Sequence, residues 1–264
     1  MQLHYDVHDG DGEPLLLLHG FLSSRAQWLD NLPGLTSFCT PITVELWGHG
    51  RSPMPDNDAQ LHPQAYIEQF ENIRREIGAS RWYVVGHSFG AGLTLRYALN
   101  HPDSILGQAF CNSNSALEPT DGSNVSERGK EIRSTLLSGR PLTDLPVHPA
   151  NAKRLPQRVK NALVEDARLL QPAALARCVK VTRPLLSVRD DFHQLSVPTL
   201  LINGVWEKGF QASARHAKDA LPSLVEVPLE GGHAINAERV NEFNDAIQQH
   251  LCKCHSANKP NENN

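Results

Sequence analysis

Short apolar runs alternate with helix-length amphipathic segments along most of this chain, and no other feature limits its fold as strongly. This pattern is typical of a mostly parallel sheet with helices on both faces, in which ligands bind beyond the carboxyl ends of the strands. The apolar runs predict strands over residues 15–18, 42–46, 82–85, 105–111, 199–202 and 224–227. The amphipathic segments predict helices over residues 25–35, 63–77, 89–100, 211–221 and 237–251. We therefore predict an α/β fold with a doubly wound sheet.

The alternation stops after residue 111. Residues 113–191 show no strand pattern, and their helical segments are separated by breaks that contain proline. We predict helices there over residues 127–137, 150–170 and 173–181. This stretch therefore reads as a helical insertion into the α/β pattern.

Charge also changes in this stretch. Residues 120–190 hold 13 Lys or Arg against 7 Asp or Glu, a net +6, whereas the remainder holds 12 against 22, a net −10. We predict that residues 113–191 form a lid on a core of residues 1–112 and 192–251; the alternative is a peripheral bundle with solvated charges. Residues 252–264 are polar, and we predict a disordered tail.

The segment "VVGHSFGAG" places Ser88 between Gly86 and Gly90, directly after an apolar run and directly before a helical pattern. A serine in a strand-to-helix turn of this kind adopts strained backbone angles and stands above the sheet as a nucleophile. The following helix N-terminus favours negative charge beside it. The alternative is a glycine-rich turn without chemistry.

A serine hydroxyl needs a base, and the base needs an acid that orients it. His233 follows Glu230-Gly231-Gly232, in a loop after the last predicted strand, which brings it to the same sheet end as Ser88. The alternative for His233 is a surface loop histidine. The other histidines near predicted turns, His19, His49 and His87, are expected to organise turns or the pocket wall.

Four motifs in order resemble the α/β-hydrolase superfamily over almost the whole chain up to residue 251. They are "LLLLHGFLSS", "ELWGHGRS", "VVGHSFGAG" and "EGGHAIN". The resemblance implies an oxyanion hole formed by the backbone N–H groups of Phe21, which follows His19-Gly20, and of Phe89. The phenyl rings of both residues are expected to shape an apolar pocket.

The acid departs from the family's common pattern. Relatives usually carry Asp three residues after a glycine at the end of the penultimate core strand, and this chain has Glu207 at that distance from Gly204. The alternative position, after the strand near Cys111, reads "CNSNS" and lacks a carboxylate. We predict Glu207 as the acid, with Asp191 and Glu230 as outside candidates.

The resemblance also implies the reaction. Dehalogenases and epoxide hydrolases of the superfamily attack with a carboxylate, so Ser88 favours acyl chemistry on a small to medium carboxylic ester or lactone through an acyl-enzyme. The alternatives are a carbon–carbon bond hydrolase or lyase, an acyltransferase or perhydrolase, and a non-catalytic ligand receptor. The basic lid and Arg25 allow an acidic substrate, and His87 and Trp206 are further possible substrate contacts.

Composition excludes other classes. A net charge of −4 and an isoelectric point near 6.3 give no reason to expect nucleic acid or a membrane surface as a partner. With neither a signal-peptide pattern nor a membrane-span pattern, we predict a cytoplasmic protein. Five cysteines predict free thiols, and Cys252, Cys254 and His255 fall short of a zinc site. We expect no metal and no cofactor, and the oligomeric state is not indicated.

Overall fold

A seven-stranded sheet forms the centre of the molecule in the computed structural model, which describes residues 1–119, 125 and 127–258. The strand order is β1-β3-β2-β4-β5-β6-β7; β1 pairs antiparallel with β3, and all other pairs are parallel. The strands are β1 Tyr5–Val7, β2 Pro14–Leu18, β3 Thr40–Val44, β4 Trp82–His87, β5 Ile105–Cys111, β6 Thr199–Gly204 and β7 Val225–Leu229. The predicted α/β fold class is confirmed.

The sheet is buried on both faces because its central strands are apolar at nearly every position. In β2, Leu16 and Leu18 join one apolar cluster, whereas Leu15 and Leu17 join another on the opposite face. This period of two follows from the alternation of side chains along a strand. The strand β7 is only partly buried, as expected for an edge strand.

Helices cover both faces of the sheet and connect the parallel strands. Their bounds are α1 Leu32–Leu35, α2 Pro63–Glu76, α3 Phe89–Asn100, α4 Asn114–Leu117, α5 Glu127–Leu136, α6 Gln157–Asp166, α7 Pro172–Val181, α8 Gln211–Ala220, α9 Ile235–Glu238 and α10 Val240–Asn258. In the described part of the chain, no helix combines the length and apolar character that crossing a bilayer requires.

Several predicted elements have different bounds in the structure. The helix predicted over 25–35 is a 3-10 turn, Arg25–Trp28, followed by α1, because Pro33 starts a new first turn. The helix predicted over 150–170 is reduced to α6, since Pro156 precedes its first residue. Strand β1 has no counterpart among the predicted strands, because an edge strand of three residues offers too short a pattern.

The tail prediction is wrong for residues 252–258. Helix α10 runs to Asn258, and Cys254 is only 2% exposed. Leu251 and Cys254 lie three residues apart on one helical face and join the same apolar cluster, whose contacts with the sheet extend the helix. Residues 259–264 lie outside the described residues.

The chain between β5 and β6 is helical and carries α4 to α7. It packs on loops at the carboxyl ends of the strands: Leu22 joins a cluster with Leu136 and Leu175, and Ala234 joins one with Leu163. Residues 120–124 and 126 of this stretch lie outside the described residues. Its role as a lid, with the predicted bounds 113–191, remains a prediction.

Candidate active site

Ser88 occupies a strained turn between β4 and α3. Its backbone has φ 52° and ψ −114°, a conformation that residues with side chains rarely adopt. Both flanking glycines are required by close approach: a Cβ on Gly86 would lie 2.4 Å from Thr94 Oγ1, and one on Gly90 would lie 2.6 Å from the His19 carbonyl oxygen. The turn holds the half-buried Ser88 directly before the first residue of α3.

Glu207 and His233 form a pair at the same end of the sheet. Glu207 follows β6 and His233 follows β7, and parallel strands bring these loops together. His233 Nδ1 lies 3.0 Å from Glu207 Oε1 and 2.9 Å from Oε2. A carboxylate only accepts hydrogen bonds, so Nδ1 carries the proton and Nε2 is left as the basic nitrogen.

The loop of His233 is attached to the turn of Ser88 through His87. His87 Nε2 donates to the His233 carbonyl oxygen at 2.7 Å, and the two rings meet edge to face with centroids 4.8 Å apart. Burial lowers the pKa of His87 to about 3, so this ring is neutral near neutral pH. Within the described residues, Ser88 Oγ and His233 make no direct hydrogen bond.

Asn112, the residue after β5, contacts the acid. Its Nδ2 donates to Glu207 Oε2 at 2.6 Å, and its Oδ1 accepts from the Gly204 N–H at 2.9 Å. The residue is fully buried and has φ 42°, which asparagine tolerates better than most residues. Asn112 was not among the predicted site residues, because the family pattern suggests only a carboxylate at this position.

The loop after β2 holds its peptide groups through His19. His19 Nδ1 donates to the Gly20 carbonyl oxygen at 2.7 Å, and His19 Nε2 accepts from the Leu46 N–H at 3.1 Å. Because a trans peptide directs its C=O and N–H to opposite sides, this contact also fixes the N–H of Phe21. Burial lowers the pKa of His19 to about 4, which keeps the ring neutral and its hydrogen bonds in this direction.

His49 supports the next residue of the same loop. Its Nε2 accepts from the Leu22 N–H at 3.2 Å, and its Nδ1 lies 3.0 Å from the Trp47 carbonyl oxygen. Leu22 has φ 59°, a conformation that costs free energy and therefore needs such support. Burial lowers the pKa of His49 to about 3.

A buried amide network ties this loop to the residues after His233. Gln27 Oε1 accepts from the Gly20 N–H at 3.1 Å, and Gln27 Nε2 donates to Asn236 Oδ1 at 3.3 Å. Asn236 in turn donates to Asn31 Oδ1 at 3.1 Å. No sequence signal identified this network, since isolated amide residues carry no pattern.

The predicted oxyanion donors are Phe21 and Phe89. Their backbone N–H groups donate to no protein acceptor in the described part of the chain, and their rings lie 5.7 Å apart between centroids. The loop and the turn are in close contact, because a Cβ on Gly20 would lie 3.3 Å from Ser88 Cβ. The role of these two N–H groups as an oxyanion hole remains a prediction.

A cavity of about 440 Å³ joins these groups. Ser88, His233 and Glu207 line it from the sheet side, and residues of the helical stretch 113–191 line the other side. Two arginines, Arg128 and Arg183, line it as well, and Arg183 pairs with Glu118 at 3.0 Å. The apolar residues that line the cavity are Phe21, Phe89, Ile132, Pro146, Val147, Pro149, Ala152 and Val179.

Two expected substrate contacts lie outside this cavity. Arg25 is engaged in an ion pair with Asp6 and lines a separate cavity. Trp206 is 41% exposed and packs against the guanidinium group of Arg154, 4.3 Å from its ring centroid. A position next to a motif does not fix where a side chain points, and substrate contact by these two residues stays a prediction. His87 does line the cavity, but its Nε2 is committed to His233.

Neither outside candidate for the acid pairs with His233 among the described residues. Asp191 accepts from Gln194 at 3.1 Å, and Glu230 is exposed. Among the described residues, no group of three or more His, Cys, Asp or Glu side chains is arranged to hold a metal ion.

Comparison with known proteins identifies the family. The family model for the alpha/beta hydrolase fold matches residues 13–240, and the chain therefore belongs to the α/β hydrolases. A fluoroacetate dehalogenase from a Burkholderia species is 35% identical over 106 residues, which is 39% of this chain and 35% of the dehalogenase. The chain thus spans about a third of that relative's length in the match.

Solved structures show the same fold. MenH from S. aureus superposes with a TM-score of 0.82 at 19% identity, over 96% of this chain and 99% of MenH. An enol-lactonase from Burkholderia xenovorans LB400 superposes with a TM-score of 0.80 at 18% identity, over 95% of this chain and 96% of the lactonase. At these identities the likeness supports the fold and leaves the reaction open.

Proposed function

We propose that this protein is a serine hydrolase that cleaves a small to medium carboxylic ester or lactone through an acyl-enzyme on Ser88. The observation that carries the proposal is the pair of hydrogen bonds from His233 Nδ1 to Glu207, next to a strained serine that lines the same cavity. A nucleophile, a base and an orienting acid are the groups that acyl transfer needs.

The first half of the reaction forms the acyl-enzyme. Ser88 Oγ attacks the ester carbonyl carbon while His233 Nε2 takes the hydroxyl proton, and the carbonyl oxygen becomes an oxyanion. The N–H groups of Phe21 and Phe89 donate to that oxyanion. When the tetrahedral intermediate collapses, the bond to the alcohol oxygen breaks, and His233 gives its proton to the leaving alcohol.

The second half returns the enzyme to its starting state. His233 Nε2 takes a proton from water, the hydroxide attacks the acyl carbon, and the bond to Ser88 Oγ breaks as the serine regains a proton from His233. Glu207 remains a carboxylate and stabilises the imidazolium in both halves. In a lactone the leaving alcohol stays attached to the acyl group, so one product is released.

The cavity supports a substrate of modest size. Its volume of about 440 Å³ lies in the lower half of the range for small-molecule pockets. The enol-lactonase of the same fold acts, by its name, on a lactone, which agrees with this substrate class. This chain carries a serine at the nucleophile position, so the partial match to a dehalogenase does not favour dehalogenation.

The test is hydrolysis of p-nitrophenyl acetate, butyrate and octanoate by wild type and by Ser88→Ala. We expect turnover by wild type and a loss of at least about 10³-fold in Ser88→Ala, because the acyl-enzyme cannot form. Ser213→Ala is the matched control, since Ser213 is a buried serine on α8 that does not line the cavity. Equal turnover by Ser88→Ala and wild type would refute the proposal, and no turnover by any form would point to carbon–carbon bond substrates.

A further inference from the structure

Asn112 bridges the ends of two parallel strands beyond their last backbone pair. Strands β5 and β6 pair as far as Cys111 and Ile202. Past that pair, the Asn112 amide accepts from the Gly204 N–H at 2.9 Å and donates to the Gly204 carbonyl oxygen at 3.3 Å. The side chain thus takes the place of a backbone hydrogen-bonded pair between the two strands and holds the loop that begins at Gly204.

The same amide reaches the carboxylate that faces His233. Asn112 Nδ2 lies 2.6 Å from Glu207 Oε2, and that oxygen is also 2.9 Å from His233 Nδ1. One carboxylate oxygen therefore receives two donors, one from a rigid strand end and one from the imidazole. An N–H that donates to an ionised carboxylate makes a stronger hydrogen bond than a neutral pair does.

Backbone packing leaves little freedom at this junction. A Cβ on Gly204 would lie 2.2 Å from the Gly232 carbonyl oxygen and 3.0 Å from Asn112 Nδ2. Gly204 is thus in contact with both the amide and the loop of His233. Asn112 itself has φ 42°, a left-handed backbone conformation that costs free energy and that places the amide between Gly204 and Glu207.

We propose that Asn112 is the positioning residue of the site: it fixes the Glu207 carboxylate and sets how much negative charge that carboxylate presents to His233. The inference rests on the proposed function, in which Glu207 orients His233. The residue that follows β5 thereby takes part in the reaction, although it carries no carboxylate.

Glu207 is the ionisable group through which Asn112 acts, because the Asn112 amide donates to its carboxylate; two other titratable groups close by, His87 and Cys111, stay neutral near neutral pH. Burial lowers the pKa of His87 to about 3 and raises the pKa of the Cys111 thiol. On the neighbouring loop, Glu238 accepts from the Gly232 N–H at 2.9 Å, and Arg239 donates to the Glu230 carbonyl oxygen at 2.8 Å.

Two variants and one control test the role. Asn112→Gly keeps the left-handed backbone accessible and removes the amide, whereas Asn112→Asp keeps the volume and the acceptor for Gly204 but replaces the donor to Glu207. The control is Gln108→Ala, because the Gln108 amide bridges the same two strands at their other end, 3.1 Å from Thr199 Oγ1.

The first measurement is an NMR titration of the His233 imidazole in the unliganded protein, assigned with His233→Gln. Without the Asn112 donor, more negative charge faces the imidazole, so the titration midpoint rises by about half a pH unit in Asn112→Gly and further in Asn112→Asp. Gln108→Ala leaves it unchanged. A midpoint in both Asn112 variants that does not rise overturns the inference, even if the protein hydrolyses esters.

The second measurement is the pH–rate profile with the best p-nitrophenyl ester. In Asn112→Gly we expect kcat to fall about 10- to 100-fold with little change in KM, and the acid limb to move to higher pH. A loss of rate with an unmoved acid limb would mean that Asn112 is only structural. Loss of the proposed function itself would appear separately, as turnover that persists in Ser88→Ala.

Discussion

The sheet and the helical stretch between β5 and β6 are built differently. The sheet buries apolar residues on two faces and pairs strands that are distant in sequence. The helical stretch uses short helices and two small apolar clusters. Apolar residues such as Leu186 also join it to the larger core cluster, and polar contacts add to this attachment: Asp166 accepts from Ser24 at 2.6 Å, and Arg177 lies 2.8 Å from Asp58. We therefore expect the sheet to contribute more to the free energy of unfolding than the helical stretch does.

The same division applies to the candidate site. Ser88, Glu207 and His233 lie on loops of the sheet, held by the buried residues His87 and Asn112. The helical stretch contributes walls of the cavity and two arginines. We infer that the sheet determines the chemistry and that the helical stretch determines which substrate enters, in agreement with the general placement of function on loops of a rigid scaffold.

The largest expected effect compares one leucine from each region. Leu201 on β6 is fully buried in the larger apolar cluster, and Leu163 on α6 is 2% exposed in a small one. We expect Leu201→Ala to lower the free energy of unfolding by about 4 kcal/mol and Leu163→Ala by about 2 kcal/mol, because the small cluster relaxes around the lost volume more easily. Urea unfolding measures both. Equal losses would show that the two regions are equally rigid.

Acid is expected to weaken the sheet loops through their buried histidines. The folded pKa of His49 is about 3, below the value of about 6.5 in an unfolded chain. The unfolded state therefore binds a proton that the folded state excludes; this contribution to stability is complete above pH 6.5 and declines as the pH falls toward about 3.

At about pH 5.5, the exclusion of this proton from His49 lowers the free energy of unfolding by about 1.4 kcal/mol relative to neutral pH. His49→Gln retains an acceptor for Leu22 and a donor for Trp47, so it should lose about that much less stability than wild type between about pH 7.5 and about pH 5.5. Urea unfolding at the two pH values is the measurement. A pH dependence identical to that of wild type would contradict the assignment.

The sequence predicts the sheet better than the helical stretch for a physical reason. Strands buried on both faces leave a continuous apolar run that is visible in isolation, as in 105–111, whose predicted bounds match β5. The short helices of the other region depend on contacts with distant loops, so a single helix predicted over 150–170 became α6 with 3-10 turns on both sides. Tertiary contacts decide where such helices end.

The site divides in the same way. The residues around Ser88 and His233 lie in dense local patterns, and both side chains line one cavity. Asn112 and Gln27 donate side-chain hydrogen bonds to residues 95 and 209 positions away along the chain, a relation that no local pattern encodes. Arg25 shows the reverse relation: it directly follows a motif, but its side chain pairs with Asp6 and lines another cavity.

The smallest expected effect concerns charge on the helical stretch. Arg128 on α5 is exposed and lines the cavity, so its guanidinium group is placed to attract an anionic substituent of the substrate. Water screens exposed charges, and Arg128→Gln should therefore lower kcat/KM for a hemisuccinate ester only about two- to fivefold, with no change for the neutral butyrate. The effect should shrink as salt is added. Because Arg128 does not touch the reacting atoms, kcat at saturating substrate should stay constant, and an equal loss for both esters would indicate that the helical stretch also supports the chemical step.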